Sequence, residues 1–99
     1  MRLLQIKKKY PKAFTKWFNS QYAEYTVNFL YNNIRDHWKE IVDFMDKQGI
    51  KIYAYPIDKS WTYVIIGVFR IERGLRNRQQ AETKAIEKAF EILEGRSKK

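Results

Sequence analysis

Cysteine is absent from this chain. Disulfides, thiolate nucleophiles and cysteine-ligated zinc are therefore excluded, and a reducing compartment is the natural home. Histidine occurs once, at His37. With Glu40 it makes an i, i+3 pair on a helix, too few ligands for a metal centre, so we expect a solvated or capping histidine. The four glycines stand far apart, at 49, 67, 74 and 95, which leaves no phosphate-cradling loop. Ser20, Ser60 and Ser97 have no base nearby and no nucleophile-elbow spacing. No apolar run approaches the roughly 18 residues needed to span a bilayer. Met1 to Ile6 is too short and broken for a signal peptide. The expectation is a cytoplasmic protein without membrane attachment, cofactor or metal, and not an enzyme.

Acidic residues are also missing from one region. Residues 1–23 hold six basic side chains and no acidic ones, for a sum of +6, while 24–49 sum to −2, 50–75 to +2 and 76–99 to +3, giving the overall +9. Positive ends flank a mildly acidic middle. Such a field attracts nucleic acid, acidic proteins or anionic headgroups without choosing among them, and it also serves solubility.

Apolar and aromatic residues are plentiful, at 44% and 16%, and half of the aromatics fall before residue 32, so the N-terminal third should be packed. Tyr10-Pro11 reads as a helix start, since proline tolerates only the first turn. Phe14, Trp17 and Phe18 behind it keep the spacing of one buried face. Residues 2–9 read as a separate short helix ending before Pro11. Residues 21–32 fit a helix or a strand equally well. Trp38, Ile41, Val42 and Met45 mark a helix, with Asn33 or Asp36 as cap and Gly49 as terminator. Asp36, Glu40, Asp43 and Asp46 recur along it with Lys39 and Lys47 between them, the pattern of a solvated face.

From Ile50 the period becomes two. Residues 50–55 and 61–72 read as two strands joined through Ile57-Asp58-Lys59-Ser60, with Ala54 opposite Tyr63 and Ile52 opposite Ile65. One face, with Ile50, Ile52, Ala54, Trp61, Tyr63, Ile65 and Phe69, is the core face. The other holds Lys51, Tyr53, Tyr55, Thr62, Val64, Ile66, Val68 and Arg70. Tyr53 and Tyr55 between Lys51 and Arg70 suit base stacking. Their aliphatic neighbours want cover, however, so we expect them packed, with the helix at 37–48 laid over them. Gly67 suggests a bulge or a close contact. Asn77 with Gln80 makes a capping-box pattern. Ala81, Ala85, Ile86, Ala89, Phe90 and Leu93 form the buried face of a last helix, with Gly95 as its C-cap.

The stretch from Arg78 to Glu94, with Asp43–Ile50 and Lys8–Phe14, resembles a group of short uncharacterised proteins from gut-bacterial genomes and their phages. The resemblance covers about a third of the chain in patches. Gln80 departs from the acidic residue usual there. It implies a fold shared with mobile-element accessory proteins and carries no activity. The spacing Ala81, Ala85, Ala89, Phe90, Leu93 after Arg76 and Arg78 is similar to the second helix of double-stranded-RNA-binding domains. In that family the start of this helix contacts phosphates across A-form grooves. That fold needs three strands between its helices, and only two are evident in this sequence. Its tandem lysines are replaced by Arg78-Gln79.

The expected fold is a single α+β domain over 1–99: N-terminal helices, a two- or three-stranded antiparallel hairpin, and a C-terminal helix on the sheet, with 1–9 and 96–99 as frayable ends. The candidate anion or nucleic-acid site has two parts. Arg70, Arg73, Arg76 and Arg78 gather where the last strand enters the last helix, whose N-terminus adds unpaired N–H groups. Lys7, Lys8, Lys9, Lys12 and Lys16 form the second part, with Lys9, Lys12 and Lys16 on one side. The expected partner is nucleic acid, or alternatively an acidic protein. Either case requires the two parts to come together.

Overall fold

A computed structural model of the chain describes residues 1–22, 32–66 and 70–97, with side chains at 1–20, 32–66 and 74–96. The ambiguous segment at 21–32 falls mostly outside this range, as do Gly67, Val68 and Phe69. Helices α1 (Leu3–Lys9) and α2 (Pro11–Tyr22) lead to a 3₁₀ turn (Ile34–His37) and α3 (Trp38–Lys47); strands β1 (Lys51–Ile57), β2 (Ser60–Ile66) and β3 (Arg70–Leu75) follow, then α4 (Arg78–Ser97). The strands form one antiparallel sheet in the order β1-β2-β3, and α4 packs across all three, so the fold is α+β.

Proline separates the first two helices as its chemistry requires. Pro11 opens α2, where its missing N–H costs nothing, and the Tyr10 N–H closes α1 on the Ile6 carbonyl at 2.8 Å. The first nine residues pack onto the rest of the protein. Leu3 and Ile6 are fully buried, and residues 1–3 are tied to 32–34 through Leu3 N–H to Asn32 O and Ile34 N–H to Met1 O, both 3.0 Å. Asn33 accepts the Arg35 N–H at 2.9 Å and so caps the 3₁₀ turn. Gly49 ends α3 with φ +78°, which lets the Ile50 N–H reach back to the Met45 carbonyl at 2.8 Å.

The β1–β2 register pairs Ala54 with Tyr63 and Ile52 with Ile65, as the alternation requires. The turn is shorter than the four-residue reading. Ile57 pairs with Ser60, and Asp58 takes φ +54°, a left-handed value that a short polar side chain tolerates. The second apolar run does not continue as one strand. β2 ends at Ile66 and a third strand returns, pairing Ile71 with Val64 and Arg70 with Ile65. Arg70 is thus the register partner of a core-face residue and not a neighbour of Tyr53. Between the pairs Tyr63–Glu72 and Trp61–Leu75 the register shifts. Gly74 at φ +75° supplies the left-handed residue of that bulge.

α4 covers one face of the sheet. Ile52, Tyr63 and Ile65 meet Ala81, Ala85, Ile86, Ala89 and Phe90 of α4 in a single core, where alanines allow close helix approach. Trp17 centres the helical half: fully buried, it makes edge-to-face contacts with Phe14, Phe90 and His37 at ring distances of 5.9, 6.1 and 6.0 Å. Burial of each such ring contributes about 1.5–3 kcal/mol. α3 packs on β1, α4 and α2. It leaves the outward-facing tyrosines of β1 partly exposed, contrary to the sequence expectation. Tyr53 and Tyr55 stand there 50% and 41% exposed.

The last turn of α4 does more than finish a helix. The buried Glu94 carboxylate accepts the N–H of Ala13 at 2.8 Å. Ala13 is the third residue of α2, the position an N-cap side chain serves, and the preceding Tyr10 has no short-armed oxygen to serve it. Arg96 donates to the carbonyl of Gln48 at the end of α3, at 2.7 Å. An acid thus sits at a helix start and a base at a helix end, the signs the helix dipoles favour. This is why Gly95 lies inside a helix that runs to Ser97 and does not act as its C-cap.

Candidate nucleic-acid interface

The start of α4 is held by its neighbours in sequence. Asn77 accepts the Gln80 N–H at 2.9 Å, while the Gln80 side chain accepts the N–H of Arg76, not of Asn77, at 2.8 Å. The box therefore closes one residue early and fixes Arg76 beside the helix. Arg76 and Arg78 are both exposed. The Arg78 guanidinium lies 3.4 Å from Glu82, and Arg35 approaches the same nearly buried carboxylate at 3.3 Å. Arg70 and Arg73 belong to β3, and their side chains lie outside the described residues.

The lysines divide between two helices. Lys7, Lys8 and Lys9 occupy the last turn of α1, and Lys12 and Lys16 begin α2; all five are exposed. Lys9 lies 3.5 Å from Glu87 on α4. Tyr10 shares that neighbourhood: burial, then the charges of Glu87 and Glu91, push its phenol above the ordinary value. Among the described residues no carboxylate pairs with Lys7, Lys8, Lys12, Lys16 or Arg76.

α4 is the ruler that relates the two groups. Glu82, Glu87 and Glu94 engage Arg35 with Arg78, Lys9, and the start of α2 in turn. Residues 78 and 87 lie about 14 Å apart along the helix axis, and 78 and 94 about 24 Å. The cations therefore form a row beside α4, not a compact patch. Arg76 and Arg78 stand at its start, Arg35 and Lys84 next, then Lys9 on Glu87, with the start of α2, and so Lys12, at the far end. No contact brings Lys7, Lys8 or Lys16 to α4 among the described residues. A groove of about 460 Å³ opens within this row, between Arg35 and the α4 side chains Gln79, Gln80, Thr83, Lys84 and Glu87. Arg35 and Lys84 carry no signal in the sequence that singles them out, because what recruits them is the docking of the 33–35 segment on α4.

His37 is not solvated. It is 7% exposed and packs against Trp17. Burial pushes its imidazole below the ordinary value, and the charges of Glu40 and Asp36 oppose that shift. Among the described residues no three His, Asp or Glu side chains converge as metal ligands, and no helix is long and apolar enough to cross a membrane. Asp36, Asp43 and Asp46 face solvent. The chain matches no family model, no curated protein and no solved structure.

Proposed function

We propose that this protein is a small non-catalytic binding module whose partner is nucleic acid, held by phosphate contacts along α4. One observation carries the reading: Lys9 and Arg35, from two separate segments, reach carboxylates of α4, whose own Arg78 lies on one of them, and an open polar groove runs between Arg35 and Lys84. Lys9 and Arg78 already touch carboxylates, but both cations are more than half exposed, whereas Arg35 is held more deeply on Glu82. Exposed pairs hold weakly, so a phosphate competes with them. The presence of three strands between α3 and α4 also removes the main departure from double-stranded-RNA-binding domains, and supports phosphate contact at the start of α4. A place among short accessory proteins of phages and bacterial mobile elements, working in the cytoplasm, fits this role. The neighbouring genes test that placement.

The experiment is a binding titration of the full chain with duplex RNA and with a single strand across a salt series. Affinity falls as salt rises, with a log–log slope of about −0.9 per phosphate contacted on a duplex. Arg76→Ala and Lys9→Ala each shallow that slope by about one contact. Arg78→Ala is a poorer probe, since it also frees Glu82. Binding weaker than the ~10⁻⁴ M of nonspecific cations at physiological salt removes the proposal. Stoichiometric capture of one acidic protein, insensitive to nuclease, replaces it with an adaptor role.

A further inference from the structure

All four large apolar side chains that stand exposed among the described residues lie on one surface: Tyr53, Tyr55, Ile57 and Ile66, at 50, 41, 36 and 43%. Singly exposed apolar residues are ordinary, whereas a cluster marks an interaction site. Strand alternation explains the grouping. Positions 51, 53, 55 and 57 of β1 point to the face away from α4, with Ile66 opposite Lys51, the half-buried Val64 opposite Tyr53 and the buried Thr62 opposite Tyr55, so the exposed stripe follows the edge strand β1. Read along β1, the order is Lys51, Tyr53, Tyr55, Ile57, and then Lys59 in the turn. Each step of two residues advances about 6.7 Å. Two rings and an aliphatic side chain thus lie in line between two exposed cations.

We infer that this exposed stripe along β1 is a binding site for single-stranded nucleic acid, with bases stacked on Tyr53 and Tyr55 and the backbone met by Lys51 and Lys59. The strand must be single because a duplex hides its base faces within its own stack and offers only groove edges. Charge selects a polyanion: the chain carries +9, and the stripe has a cation at both ends. The same charge opposes pairing with a second copy. Asp46 approaches Lys51 at 3.9 Å, with both side chains more than half exposed, a contact too weak to withhold the lysine. α4 packs on the opposite side of the sheet. The site therefore goes beyond the α4 row, and either can fail without the other.

The test uses the full chain, a labelled oligouridine of about ten nucleotides, and a blunt RNA duplex as second probe. Tyr53→Ala and Tyr55→Ala each weaken oligouridine binding roughly 5- to 150-fold, while Tyr53→Phe and Tyr55→Phe retain it and all four bind the duplex as the parent does. Circular dichroism confirms folding, which these exposed positions tolerate. The site is overturned if the alanine variants bind oligouridine as tightly as the parent. It is also overturned if the parent binds only the duplex, an outcome that leaves the α4 row standing. Binding of neither probe removes both.

Discussion

Replacing Glu94 by alanine is the sharpest test of how this fold is held. The Glu94 carboxylate is 4% exposed, and its 2.8 Å bond to Ala13 is buried. Alanine leaves the Ala13 N–H without an acceptor inside the protein. A hydrogen bond to a charged group contributes about 1.5–3 kcal/mol, and an orphaned buried donor costs about 1–3 kcal/mol. These two figures describe one loss and are not summed. Burying a carboxylate is itself unfavourable, and alanine recovers that penalty. The net destabilisation is therefore about 2 kcal/mol, a fall in Tm of about 8–16 °C for a domain of this size. Glu94→Gln keeps an acceptor and loses only the charge facing the helix dipole, about 0.3–1 kcal/mol. Urea unfolding followed by circular dichroism measures both, with the slope unchanged if only stability moves. An alanine variant within about 0.5 kcal/mol of the parent, the range of an ordinary surface change, refutes this account of α2.

Three further outcomes follow from the same contacts. Glu82→Ala removes the carboxylate shared by Arg35 and Arg78 and costs about 1–2 kcal/mol in the same titration, whereas Arg78→Ala costs less because Arg35 remains. Gly74→Ala meets no atom within 4 Å of the added methyl, so its cost is the left-handed backbone alone, about 1–2 kcal/mol, and Gly74→Asn costs less. His37, faced by Trp17, Asp36 and Glu40, has its folded pKa depressed by burial. The unfolded chain therefore binds the proton first, and stability present above about pH 6.5 declines as pH falls through the folded value. His37→Gln flattens that part of a stability–pH profile, and an unchanged slope contradicts it.

The hairpin was legible residue by residue because its alternation is strict and its ends are marked by Gly49 and the 58–59 turn. β3 was hidden for the same reason: Trp61 to Glu72 alternates without a break in pattern, and only the pairing of Ile71 with Val64 reveals the return. Period alone says that residues are extended, not where the chain reverses. Gly95 misled because local C-cap chemistry there is overruled by Glu94 and Arg96, whose partners lie far away in sequence. His37 sits among charged neighbours and reads as wet, yet Trp17 from another helix covers it. Of the candidate site, the basic residue types were visible. Their order along α4, and the recruitment of Arg35, depend on tertiary docking that no spacing encodes.

The grip of the final helical turn also sets a timetable for folding. Ala13 waits on a residue 81 positions later, and the end of α3 on one 48 positions later. Synthesis at roughly 5–20 residues per second keeps both helix ends without their partners for seconds. Native closure thus waits on residues 94 and 96, and until they emerge the early helices hold an aromatic surface that wants shelter.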